Sequence, residues 1–189
     1  MRKLDNYAAD MIPIRLIISI SVVAAIVLIF SIGFINLRVN LAQSSIENDI
    51  NFIESNLLNV IASGVARDVD EVDASDGTKR LISLSLPDNI LFLSFGLDPD
   101  IDNDGVLNSG LFEDGANIFY QVQGGSKKVI WFDSEFRFRE GNYSKNKWTL
   151  NSPEQGYIIS SPGKYSIVFE LVERFNEKYI LIQSTDEFS

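Results

Sequence analysis

The chain of 189 residues has no cysteine and no histidine. The first absence excludes disulfides, zinc–thiolate sites and cysteine nucleophiles, so stability rests on packing. The second removes the commonest general base and the commonest transition-metal ligand. Proline is sparse, with 5 in the chain and none between Pro13 and Pro87. Charge is missing from residues 16–37, LIISISVVAAIVLIFSIGFINL, which Arg15 and Arg38 bracket. At about 1.5 Å per residue, a helix of that length spans roughly 33 Å, the thickness of a bilayer's hydrocarbon core.

Basic residues are also scarce outside the first segment. Residues 1–38 hold four basic and two acidic residues, and the remainder holds 12 and 24. The whole chain carries −10 and its distal part −12. A domain this acidic repels nucleic acid and anionic lipid. Arg2, Lys3 and Arg15 precede the apolar run and Arg38 alone follows it closely, so the positive-inside rule sets the N-terminus in the cytoplasm and the C-terminal part outside. The run is longer than the apolar core of a secretory signal, and no A-x-A site follows it, which predicts a retained single-pass anchor. Near Asp10, a helix N-cap, Pro13 falls in the first turn, where its missing N–H is harmless.

Helical patterning continues past the anchor. Val39, Gln43, Ile46, Ile50, Ile53, Leu57, Val60 and Gly64 are spaced alternately by four and three, a heptad seam with two imperfect members. With no proline to interrupt it, one helix is expected from about 12 to 66, roughly 80 Å long. Gly64 and Arg67-Asp68 mark its end. The seam Ile46, Ile50, Ile53, Leu57 and Val60 must be covered, either by its own domain or by helices of other copies.

Residues 68–78 read as a polar loop. Short apolar segments then alternate with turn signals: strands at 80–86, 90–95, 117–123, 127–132, 136–139, 157–160, 165–172 and 179–183. Gly124-Gly125-Ser126 marks a hairpin, and 174–178 a second. The expected class is α+β: a long N-terminal helix followed by an antiparallel, sandwich-like β-domain. Its segments are 1–11, a cytoplasmic stretch; 12–38, the membrane helix; 39–67, an amphipathic extension; and 68–189, the β-rich domain.

One motif carries chemistry. In DPDIDNDGVLN, residues 98–108, Asp100, Asp102 and Asp104 stand where positions 1, 3 and 5 of a calcium loop stand, with Gly105 at the sharp turn. Asp98 and Asn108 add oxygen atoms nearby, and Val106 offers a carbonyl. Hard Ca²⁺ takes six to eight oxygens, and alternating carboxylates on a tight loop converge on one point. Position 12 is Leu111, with Glu113 and Asp114 just beyond, so the loop departs from an EF-hand. It reads either as a structural Ca²⁺ loop inside a β-domain or as a solvated acidic turn. Asn142-Tyr143-Ser144 is an N-glycosylation sequon. No nucleotide loop, nucleophile elbow or metal-hydrolase motif is present, which predicts a protein without catalysis.

Arg2-Lys3 before the apolar run, Ala8-Ala9 near a processing point and a helix from Met11 onward give a layout that resembles the type IV pilin superfamily, archaeal pilin-like proteins in particular. The resemblance covers the whole chain as layout. It implies cleavage just before the apolar helix, and a structural or accessory subunit assembling as a homo- or hetero-oligomer through that helix at the cell surface. The alternative from the residues themselves is a membrane-tethered ectodomain that binds an ion, a polymer or a partner protein.

Overall fold

The computed structural model describes residues 7–71, 73–108, 115–144, 147–151 and 154–184. It opens with helix α1, Tyr7–Ser63. Among the described residues ten strands follow: β1 Arg67–Asp68, β2 Lys79–Leu86, β3 Ile90–Phe95, β4 Asn117–Val122, β5 Lys128–Trp131, β6 Arg137–Ser144, β7 Lys147–Leu150, β8 Tyr157–Ile159, β9 Gly163–Arg174 and β10 Glu177–Ser184. The class is α+β. The chain divides into two compact units, residues 1–40 and residues 41–189, and the division falls within the range of α1.

In the first unit the helix is bare. From Ile14 to Leu37 its apolar side chains lie open, with Ile29 70% and Phe30 74% exposed. Ser19, Ser21 and Ser31 return their hydroxyls to the carbonyls four residues earlier, so none presents an unpaired donor. The segment is long and apolar enough to cross a membrane.

The second unit holds two sheets. The larger has the order β1-β9-β10-β6-β7, with β2 also paired to β9; the smaller runs β5-β4-β3-β8. Hairpins dominate, as the turn signals required. β9 and β10 pair antiparallel around Phe175 and Asn176, both at positive φ, and Gly124 supplies the positive φ between β4 and β5. The larger sheet is not purely antiparallel. β10 lies parallel to β6, with Ile180 opposite Phe138, and β1 lies parallel to β9. β2 alternates as its sequence predicts: Ile82, Leu84 and Leu86 are buried while Leu81 faces out.

Phenylalanines join the sheets. Phe95 of β3 meets Phe138 of β6 and Phe169 of β9 edge-on, with ring centroids at 5.5 and 5.7 Å. Phe132, Phe136 and Phe138 stack edge-to-face beside them.

The remaining core comes from α1. Ile46, Ile50, Ile53, Leu57 and Val60 are each at most 1% exposed within unit two. Of the two covers open to the seam, its own domain is the one that buries it, because the β-sheet faces need an apolar partner and the helix supplies it. Polar contacts fix the register. Glu47 accepts the Tyr120 hydroxyl at 2.7 Å and the Lys128 ammonium at 2.5 Å, and Asp49 accepts the Ser85 N–H at 3.2 Å. Lys128, then Tyr120, hold the Glu47 carboxyl below its usual range. Burial, then the bond to Glu47, pushes the Tyr120 hydroxyl up.

Candidate metal-binding loop

The acidic loop leaves β3 through Gly96, at positive φ, and is pinned back onto the smaller sheet. Gly96 N–H donates to the Asn117 carbonyl at 2.9 Å, and the Ser94 hydroxyl donates to the Leu97 carbonyl at 2.8 Å. These anchors are why Asp98 and Asp100 are buried although they sit in a polar loop.

Inside the loop the carboxylates organise the backbone. Asp98 Oδ1 accepts the Asp100 N–H at 3.1 Å. Asp100 Oδ1 accepts Asp104 N–H at 2.9 Å and Gly105 N–H at 3.3 Å. Asp104 Oδ1 accepts Val106 N–H at 2.7 Å. Such side-chain-to-backbone bonds two to five residues ahead are what Asp provides in tight turns. Asn103, at φ 57°, and Gly105, at φ 82°, carry the bend. The chain closes where Asn108 N–H donates to the Pro99 carbonyl at 2.7 Å.

One carboxylate oxygen from each of Asp100, Asp102 and Asp104 lies within 4.8 Å of the others. Asp100 is buried at the base, while Asp102 and Asp104 face solvent. These three fit a hard cation by donor chemistry. Asp98 does not join them: its Oδ2 takes the Lys127 ammonium at 2.6 Å, and the same ammonium contacts the Asp100 carbonyl oxygen. The expected ligand set loses Asp98 because a neighbouring cation already neutralises it. Asn108 is exposed, with its amide directed toward the Val106 carbonyl at 3.5 Å, a marginal contact. Leu111, Glu113 and Asp114 lie outside the described residues.

Two other polar features have no counterpart in the sequence reading. A cleft of about 620 Å³ is lined by Ile61, Phe136, Arg137, Asn176 and Glu177 among others, with Arg137 and Glu177 paired across 2.7 Å. In the larger sheet, Arg67 and Glu170 form an ion pair at 2.8 Å with both side chains 1% exposed. Glu170 also accepts the Gly77 N–H at 2.9 Å and the Gln183 amide at 2.6 Å. Arg67 donates further to the Trp148 carbonyl at 2.9 Å. A glutamate inside the apolar run SIVFELV was the available signal, since a charge there needs a buried partner. Asn142, on β6, is exposed.

No protein-family model matches the chain, and no curated protein or solved structure matches it.

Proposed function

We propose that this chain is a non-catalytic, pilin-like surface subunit, crossing the membrane once with its N-terminus in the cytoplasm and residues 39–189 outside. The observation that carries the reading is the division of labour in α1. Residues 14–37 are apolar and uncovered, whereas 46–60 are spent on the core of their own domain. Contacts with other copies therefore fall to the uncovered stretch. Arg2, Lys3 and Arg15 against Arg38 support the orientation.

The test uses the absence of native cysteine. Single cysteines placed at successive positions from Val22 to Ser31 are expected to cross-link copies in the native membrane. Cross-linking should be strong on one helical face and weak on the other. Mass spectrometry of the mature N-terminus should find cleavage beside Ala8 or Ala9. A monomer at every position together with an intact Met1 defeats this reading.

The second reading, a tethered binding ectodomain, draws support from the self-covered seam and from the open cleft beside Arg137 and Glu177. It predicts that monomeric, uncleaved result.

In either case the acidic loop is proposed to take Ca²⁺ through Asp100, Asp102 and Asp104 as a structural ion. Binding to the folded state alone raises stability by mass action. Millimolar Ca²⁺ should thus raise the melting temperature of the full chain in detergent, and Asp102→Ala should remove the rise. An unchanged melting temperature would leave the loop as a solvated turn held by its own hydrogen bonds.

A further inference from the structure

The only N-x-S/T sequon in the chain is Asn142-Tyr143-Ser144, and we propose that Asn142 carries an N-linked glycan. A sequon alone is common. Here its placement adds three independent conditions, and each is met.

The acceptor is accessible. Asn142 and Ser144 are exposed on β6, close to the hairpin that joins β6 to β7. Among the described residues the Asn142 carboxamide has no hydrogen-bond partner; the bond at this position uses its backbone carbonyl, which accepts from the Thr149 hydroxyl at 3.4 Å.

The face is free. Alternation along β6 sends Gly141 and Tyr143 one way and Asn142 and Ser144 the other. The first face is packed at Gly141, where a Cβ would meet Trp148 at 3.0 Å and Leu181 at 3.3 Å; beyond it Tyr143 is 57% exposed, with its ring 5.4 Å from that of Trp148. Asn142 pairs across the strands with Thr149 and is exposed; Phe138, four residues earlier on the same alternation, is buried and Glu140 half-buried, so the free part of this face is the end that carries the sequon.

The position also has a use. β7 ends the larger sheet, and among the described residues no strand pairs with its outer side. Exposed edges recruit other strands unless something blocks them. A hydrated oligosaccharide one strand in from that edge hinders edge-to-edge pairing between copies crowded on a surface.

The reaction needs an activated donor, a lipid-phosphate-linked oligosaccharide, and a membrane transferase. The Asn142 Nδ2 forms a bond to the anomeric carbon of the first sugar. The bond from that carbon to the phosphate oxygen breaks, and the lipid phosphate leaves with the electron pair. One amide proton passes to a base, and no atom is oxidised or reduced.

This inference rests on the exterior placement proposed above, so the test separates the two. The full chain is expressed in a cell that carries an oligosaccharyltransferase, with a flexible C-terminal tag bearing a second sequon. Mass spectrometry of peptides then reads both sites. One glycan mass at Asn142, lost in Asn142→Gln and Ser144→Ala and kept in Ser144→Thr, is the expected result. A modified tag with bare Asn142 overturns the proposal and leaves the exterior placement standing. Both sites bare overturns the exterior placement and the glycan with it.

Discussion

Glu170→Ala is expected to cost about 3–5 kcal/mol, the usual penalty for stranding a buried charge. Glu170 receives Arg67 Nε at 2.8 Å and Nη2 at 3.1 Å, besides Gly77 and Gln183. Removing it leaves the guanidinium with the Trp148 carbonyl alone, and Arg67 Nη1 already lacks a partner. Water cannot easily substitute, because Arg67 is 2% exposed. The site is also closed by backbone. A Cβ on Gly77 would sit 2.0 Å from the Leu171 carbonyl, so only glycine lets this N–H reach Glu170. The measurement is the urea midpoint of residues 41–189. A companion variant, Arg67→Met with Glu170→Leu, should recover most of the loss, since an apolar pair of similar volume often matches a buried ion pair. A Glu170→Ala loss below about 1 kcal/mol would mean that the pair is solvated in the folded protein.

The second large effect concerns the helical seam. A fragment beginning at Leu41 is expected to fold as a soluble monomer, and one beginning at Asp68 is expected to aggregate. The shorter fragment lacks Ile46, Ile50, Ile53, Leu57 and Val60, all of which are buried. Each contributes on the order of 1.5–3 kcal/mol by burial, so the five together rival the roughly 5–15 kcal/mol stability of a whole domain. Within the longer fragment, Leu57→Ala should lower stability by about 2–5 kcal/mol. Its melting temperature should not change with protein concentration. A midpoint that rises with concentration would return the seam to contacts between copies.

Those five residues also show where sequence reading stops. Spacing by three and four residues reveals an apolar stripe, because helical periodicity is local. It is silent on what covers the stripe, since the covering surface comes from strands far along the chain. Local signals worked well elsewhere. Gly124-Gly125-Ser126 placed the β4–β5 hairpin, and apolar runs placed β3 at residues 90–95. β7 was missed because KWTL is half-buried on a sheet edge and carries no clean alternation. The parallel pairing of β6 with β10 was equally hidden, as its partners lie about forty residues apart. At the acidic loop, alternate spacing in the sequence singled out Asp100, Asp102 and Asp104, whose carboxylate oxygens lie within 4.8 Å of one another. It did not identify Lys127, which removes Asp98 from the set through a contact across 29 residues.

Arg67 is the sharper example. Beside Asp68 it looked like a charged helix end. In the fold it belongs to the larger sheet, and its partner Glu170 lies 103 residues away. The glutamate's apolar surroundings announced that some cation was needed; no local pattern named which one.

The helix that bears the seam is made before the strands that cover it. Its apolar side chains emerge before β1–β10, and Ile180, Leu181 and Ile182 of β10 belong to the same unit's core. At a synthesis rate of about 5–20 residues per second, the seam waits roughly 6–25 s for that strand. During that interval the nascent chain exposes an uncovered apolar helix face. Folding of this unit is thus a race between delivering β10 and losing the helix to a chaperone or a neighbouring chain.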